Sequence, residues 1–71
     1  MAENSLEELI KLSAAALYHP GLVSLARENS PSRTYDLSKR LFNHRKAKSA
    51  RYLAILRRDH GSEAFEAVVS Q

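Results

Sequence analysis

Cysteine is absent from this 71-residue chain, so neither a disulfide framework nor a thiolate zinc site can brace the fold. That absence fits a reducing compartment. Tryptophan is absent as well, and there are only two glycines and two prolines. Two glycines cannot supply a Walker loop or a dinucleotide-binding fingerprint. The same scarcity, with 44% hydrophobic residues, argues against a disordered chain. No apolar run approaches the ~20 residues of a membrane span. The N-terminal "MAENSLEELIK" carries acids where an export signal carries bases. A soluble, cytoplasmic protein is the expectation.

A chain this short makes one domain, spanning 1–71, near the size at which a single core is only marginally sufficient. Without disulfides or metal, its stability has to come from helix packing, with oligomerisation as a further source.

Net charge is +3 and the pI about 9.6, but the distribution matters more than the sum. Residues 1–30 carry a net −2, residues 31–60 a net +7, and residues 61–71 a net −2. A strongly basic segment between acidic flanks is the electrostatic footprint of a polyanion-binding surface.

Hydrophobic periodicity predicts an all-α protein of four or five short helices around a single small core. Ser5 and Glu8 fit a capping box, and Glu7 and Glu8 suit the first turn of the helix they open. Leu6, Leu9, Ile10, Ser13 and Leu17 then form one stripe, with Leu12 off it. His19-Pro20-Gly21 ends that helix, because the residue before proline is pushed out of the helical region. Pro20 can open a second short helix containing Leu22, Val23, Leu25 and Ala26. "ENSPSR" closes it. A third helix is expected from Thr34, capped by Thr34 or Ser32, with Leu37, Leu41 and Phe42 as its apolar face.

Asn43 to Ser49 contains only Ala47 as an apolar residue. A single helix over 34–60 would place Arg45 on the face of Leu41, Tyr52 and Leu56, and a buried unpaired arginine is costly. A turn within 43–48 is therefore favoured, with Ser49 or Asn43 capping the helix that follows. That helix ends near His60-Gly61. Ser62 can cap a terminal helix whose apolar face is Phe65, Val68 and Val69.

The segment "TYDLSKRLFNHRKAKSARYLAILRRDHG", 34–61, resembles helix-turn-helix DNA-binding domains. Leu37, Ser38 and Leu41 match the first helix of such a unit, with Ser38 as the small residue that lets the helices approach. Ala50, Leu53 and Leu56 match the core positions of the second. Phe42 stands where a glycine commonly opens the turn, and the turn is about two residues longer than the tight form. The resemblance implies a small transcription or replication regulator that presents its second helix to the DNA major groove.

Independently of any family, His44, Lys48, Arg51, Ile55 and Arg58 recur at spacings that form one stripe beside the core face. Arg45 and Lys46 add charge at its N-terminal end, as do Lys39 and Arg40 on the preceding helix. Lys39, Arg40, His44, Arg45, Lys46, Lys48, Arg51 and Arg58 are thus the candidate nucleic-acid-binding residues. Arg51, capable of a bidentate contact with guanine, is the best candidate for base reading. Lys46 and Lys48 suit point-charge contacts to phosphate. Solvated surface is the competing reading, and Arg57 and Arg58 are explained by complementing the dipole at the end of their own helix. Tyr52 reads as core rather than as a stacking platform.

Duplex DNA is the leading partner. RNA and an acidic protein surface, for which the chain would be an adaptor or inhibitor, rank below it. A lipid surface ranks last, since the apolar residues beside the basic run are needed for the core. Dimerisation would use the broad face of Leu6, Leu9, Ile10 and Leu17. The three histidines, 25 and 16 residues apart, lack metal-ligand spacing, and no elbow or glycine loop frames a serine. An enzyme, a metal and a cofactor are therefore not expected.

Overall fold

The computed structural model describes residues 5–41 and 44–71, with the side chains of Leu41 and of 44–46 outside the description. Among the described residues, four α-helices and one short 3-10 helix account for the order of elements, with no strand, so the fold is all-α.

The first helix, α1 (Leu6–Ala14), begins as its sequence dictates. Ser5 is extended, and its hydroxyl accepts from the Glu8 N–H at 3.2 Å. The helix tightens into a 3-10 segment, Ala15–Tyr18. His19 then adopts φ −130° and ψ 86°, outside the helical region from which a following proline excludes it. Pro20 opens α2 (Pro20–Glu28), and the chain bends by 118° between Leu6–Tyr18 and this helix.

The third helix, α3 (Pro31–Leu41), starts three residues earlier than the periodicity indicates. Ser30 takes the capping role expected of Thr34 or Ser32: its hydroxyl accepts from the Arg33 N–H at 3.2 Å and its carbonyl from the Thr34 N–H at 2.9 Å. Ser-Pro is itself a start signal, because the proline ring fits the first helical position, whose N–H needs no partner. Thr34 is instead fully buried, and its hydroxyl donates to the Leu25 carbonyl at 3.5 Å.

Helix α4 (His44–Val69) is interrupted at Gly61, where φ is 90° and ψ 167°. This is backbone that glycine alone adopts readily, and the stop expected at His60-Gly61 is found there. Helices α3 and α4 are separate, so the single helix over 34–60 is excluded. Within the expected 43–48 range, however, 44–48 are already helical, and Ser49 is buried within the helix rather than capping it. Asn43, the alternative cap, lies outside the described residues, as does the side chain of Arg45.

The part of α4 before Gly61 is the hub. Ala47, Ser49, Ala50, Leu53, Ala54 and Leu56 bury about half of its circumference, and α1, α2 and α3 all pack against it. Ala47, Ala50 and Ala54 on α4 and Ser38 on α3 are small residues at buried positions of these two packed helices. After Gly61 the chain returns Phe65 and Val68 to the core formed by Leu9, Ala16, Leu22, Ala26, Ala50, Leu53 and Leu56. Tyr52 and Val69 pack at its edge, as their spacing predicts. The radius of gyration is 10.6 Å, against the ~11 Å expected of a compact chain of this length.

On α1 the buried face differs from the predicted stripe. Leu9, Ser13 and Ala16 are fully buried, whereas Leu6 and Ile10 are 42% and 36% exposed. The stripe is rotated toward Leu12 and Ala16, because α4 covers one side of α1 only. No single helix among the described residues is long and apolar enough to cross a membrane.

Candidate nucleic-acid interface

Helices α3 and α4 lie antiparallel along their lengths. Pro31, Ser32, Tyr35 and Asp36 from α3 line the same open groove of about 390 Å³ as Ala54, Ile55 and Arg58 from α4. The last turn of α3, with Lys39 and Arg40, is therefore at the same end of the molecule as the first turns of α4.

On α4 the predicted stripe runs along the edge of the core face, where Ile55 packs against the core. Lys48 and Arg58 are exposed, and Arg51 and Ile55 are half-buried beside α3. Lys39 and Arg40 are exposed on α3. His44, Arg45 and Lys46 belong to the first turn of α4 by their backbone, and their side chains lie outside the described residues.

Two of the candidates converge on a residue that the charge pattern does not single out. The Arg51 guanidinium carbon is 5.2 Å from the centroid of the Tyr35 ring, and the Lys39 ammonium is 5.7 Å from the same centroid. Both distances are within the range of cation–π attraction. Arg51 Nε is buried without a hydrogen-bond partner in the structure. A sequence signal for half of this arrangement exists: Tyr35 and Lys39 are four apart on one helix face.

Arg58 reaches the rim of the groove but is engaged with its neighbour. Its Nε and Nη2 donate to the Asp59 carboxylate at 2.7 and 3.1 Å. Those hydrogen bonds hold the Asp59 carboxyl below its ordinary value. The other ion pair among the described residues joins Arg27 of α2 to Glu66 of α4, with oxygens at 2.9 and 3.3 Å. Lys39, Arg40 and Lys48 take part in neither pair.

Arg57 departs most from expectation. It does not merely complement its own helix end. It lies on the core face, one and two turns from Leu53 and Ala50, and its Nη1 donates to the backbone carbonyls of Ala26 and Asn29. Its guanidinium carbon is 5.5 Å from the Phe65 ring centroid. Its role is to close α2, whose last carbonyls have no partner within the helix. Arg57 is therefore unavailable to a ligand, and Lys39, Arg40, Lys48 and Arg51 make up the described part of the basic surface.

The expected dimer face is also altered. Leu9 is fully buried in the chain's own core, leaving Leu6 and Ile10, with half-buried Leu17, as the apolar edge of α1 that a second molecule could meet. Among the described residues, no group of three or more His, Asp or Glu could hold a metal ion. Comparison of the chain with protein-family models, with curated proteins and with solved structures found no match in any of the three.

Proposed function

We propose that this protein binds duplex DNA through the end of the α3–α4 hairpin, as a small regulator of transcription or replication that catalyses nothing itself. The observation that carries this reading is a charge segregation: residues 37–58 hold eight of the eleven Lys and Arg and no Asp or Glu. Lys39, Arg40 and Lys48 are exposed, and among the described residues none has a carboxylate partner. Each such cation placed on a DNA phosphate releases a counterion condensed on the DNA. Of the two acids in the C-terminal segment, Glu66 is matched by Arg27. If two molecules act together on DNA, Leu6 and Ile10 are the apolar residues available to join them.

The groove beside Tyr35 and Ile55 favours a second reading, in which an acidic protein segment sets an apolar side chain there.

Binding of the purified protein to duplex DNA across a salt series tests the first reading. The plot of log affinity against log salt should fall steeply, by ~0.9 for each phosphate neutralised. Replacing Lys39, Arg40 and Lys48 together by alanine should lower that slope by two to three units, at ~0.9 per contact. Absence of binding at about 50 mM salt, where phosphate contacts are strongest, overturns the DNA reading.

A further inference from the structure

We infer that Tyr35 is a positioning residue for DNA recognition, fixing the Arg51 guanidinium so that it reads base identity while the exposed cations supply affinity. This rests on the DNA-binding reading above and assigns different tasks within that surface.

Three observations separate Arg51 from its basic neighbours. It is half-buried where Arg40 and Lys48 are exposed. Its guanidinium is held 5.2 Å from the Tyr35 ring centroid, and its Nε lies buried with no hydrogen-bond partner. Burial of Nε means that the side-chain stem is packed and the rest of the guanidinium has few orientations left. Arginine suits this use, because its planar, weakly hydrated cation stacks on an aromatic face while keeping donors at its far edge. A bidentate contact with guanine requires donors in a fixed plane, and a side chain ordered beforehand loses less freedom on binding.

The ring also holds the Lys39 ammonium at 5.7 Å. Two cations from different helices thus share one aromatic ring. Asp36, on the groove side of Tyr35, is the nearest acid on α3. The charged groups lining that groove are Asp36 and Arg58, with Arg58 bound to Asp59. Placed against DNA, this geometry would put a phosphate near Lys39 and a base edge within reach of Arg51.

The test is selection of bound sequences from a random duplex library by the wild type, Tyr35→Phe, Tyr35→Leu and Arg51→Lys. Wild type and Tyr35→Phe should enrich a fixed guanine. Tyr35→Leu and Arg51→Lys should bind the unselected library with an almost unchanged salt slope but lose that preference by about tenfold. An NMR measurement needs no DNA: Arg51 side-chain protons should be ring-shifted in wild type and Tyr35→Phe and unshifted in Tyr35→Leu, which also reports whether that variant is folded. If Tyr35→Leu is folded and selects the wild-type sequences, or if Arg51 carries no ring shift in the wild type, the inference falls while the DNA reading stands. If the wild type binds no duplex, both fall. A general loss of affinity with preference intact assigns Tyr35 to phosphate contact and equally overturns it.

Discussion

The Arg57 guanidinium donates to the Asn29 carbonyl at 2.5 Å across 28 residues of sequence, closing the end of α2 from a different helix. The same nitrogen serves Ala26. The Leu25 carbonyl accepts from the Asn29 side chain at 2.9 Å and the Thr34 hydroxyl at 3.5 Å. Three elements thus meet at the carbonyl end of one short helix, where positive charge is favoured. Arg57→Leu should destabilise the protein by about 2–4 kcal/mol, since charged hydrogen bonds are lost and carbonyls are left unpaired. Arg57→Lys should recover part of it. The urea midpoint measures this, and a shift below about 0.5 kcal/mol would show the clasp to be unimportant.

Gly61 has φ 90° and ψ 167°, and a Cβ built on it meets nothing within 4 Å. Its requirement is therefore conformational and not spatial. Gly61→Ala should cost about 1–3 kcal/mol, while D-alanine, for which the backbone is relaxed, should be neutral or stabilising. A chain this short is accessible to synthesis, and thermal melts of the two forms decide the point. Equal melting temperatures would contradict it.

Adjacent residues on α1 should behave very differently. Leu9→Ala removes a fully buried side chain, and about 2–5 kcal/mol should be lost. Ile10→Ala, at a position 36% exposed, should cost less than about 1.5 kcal/mol, because part of its side chain is already in water. Similar losses at both sites would mean that Ile10 is covered, and sedimentation would then show whether a second molecule covers it.

Acid should weaken the α2–α4 connection. The hydrogen bond and charge of Arg27 hold the Glu66 carboxyl below its ordinary value of 4.5. The unfolded chain therefore binds the proton more readily, and stability rises with pH through this range. The contribution is complete above the unfolded pKa and disappears as pH falls through the folded one. Arg27 is shifted upward by the same pair, which is one coupling seen from its other partner, so it is lost in acid together with the Glu66 charge. Both groups are exposed, so the effect should be modest and screened by salt. Chemical denaturation of wild type and Glu66→Gln should differ at neutral pH and converge below the carboxylate range; a difference independent of pH would rule this linkage out.

Charge reversal separates a local surface from net charge. Lys48→Glu and Lys11→Glu change net charge equally, but Lys11 belongs to α1 and Lys48 to the basic stripe. On the DNA reading, Lys48→Glu should reduce affinity at low salt by about tenfold or more, and Lys11→Glu only slightly. Equal losses would indicate attraction to net charge alone.

Much of the helical framework is legible in the sequence because its signals act within four residues. Ser5 accepting from Glu8, the non-helical His19 before Pro20, and Gly61 in its positive-φ conformation each follow from local chemistry. The start of α3 was legible too, in Ser30-Pro31, but periodicity pointed to Thr34, whose buried hydroxyl serves α2 instead. Along 43–48, the lack of apolar residues suggested a turn. The described part is helix, since a surface helix can be polar wherever its neighbours do not cover it.

The basic character of 37–58 was fixed by composition, and no packing could have removed it. The division of tasks among its arginines was not. Arg57 and Arg58 are neighbours of one residue type, yet the first closes α2 and the second pairs with Asp59 in solvent. Arg51 is held by Tyr35 on another helix. The sequence by itself determined where helices begin and break, because backbone sterics and caps are local. Only the tertiary structure decided which face of each helix is inside, and so which cations remain for a ligand. That choice depends on neighbours up to 39 residues away, as between Arg27 and Glu66.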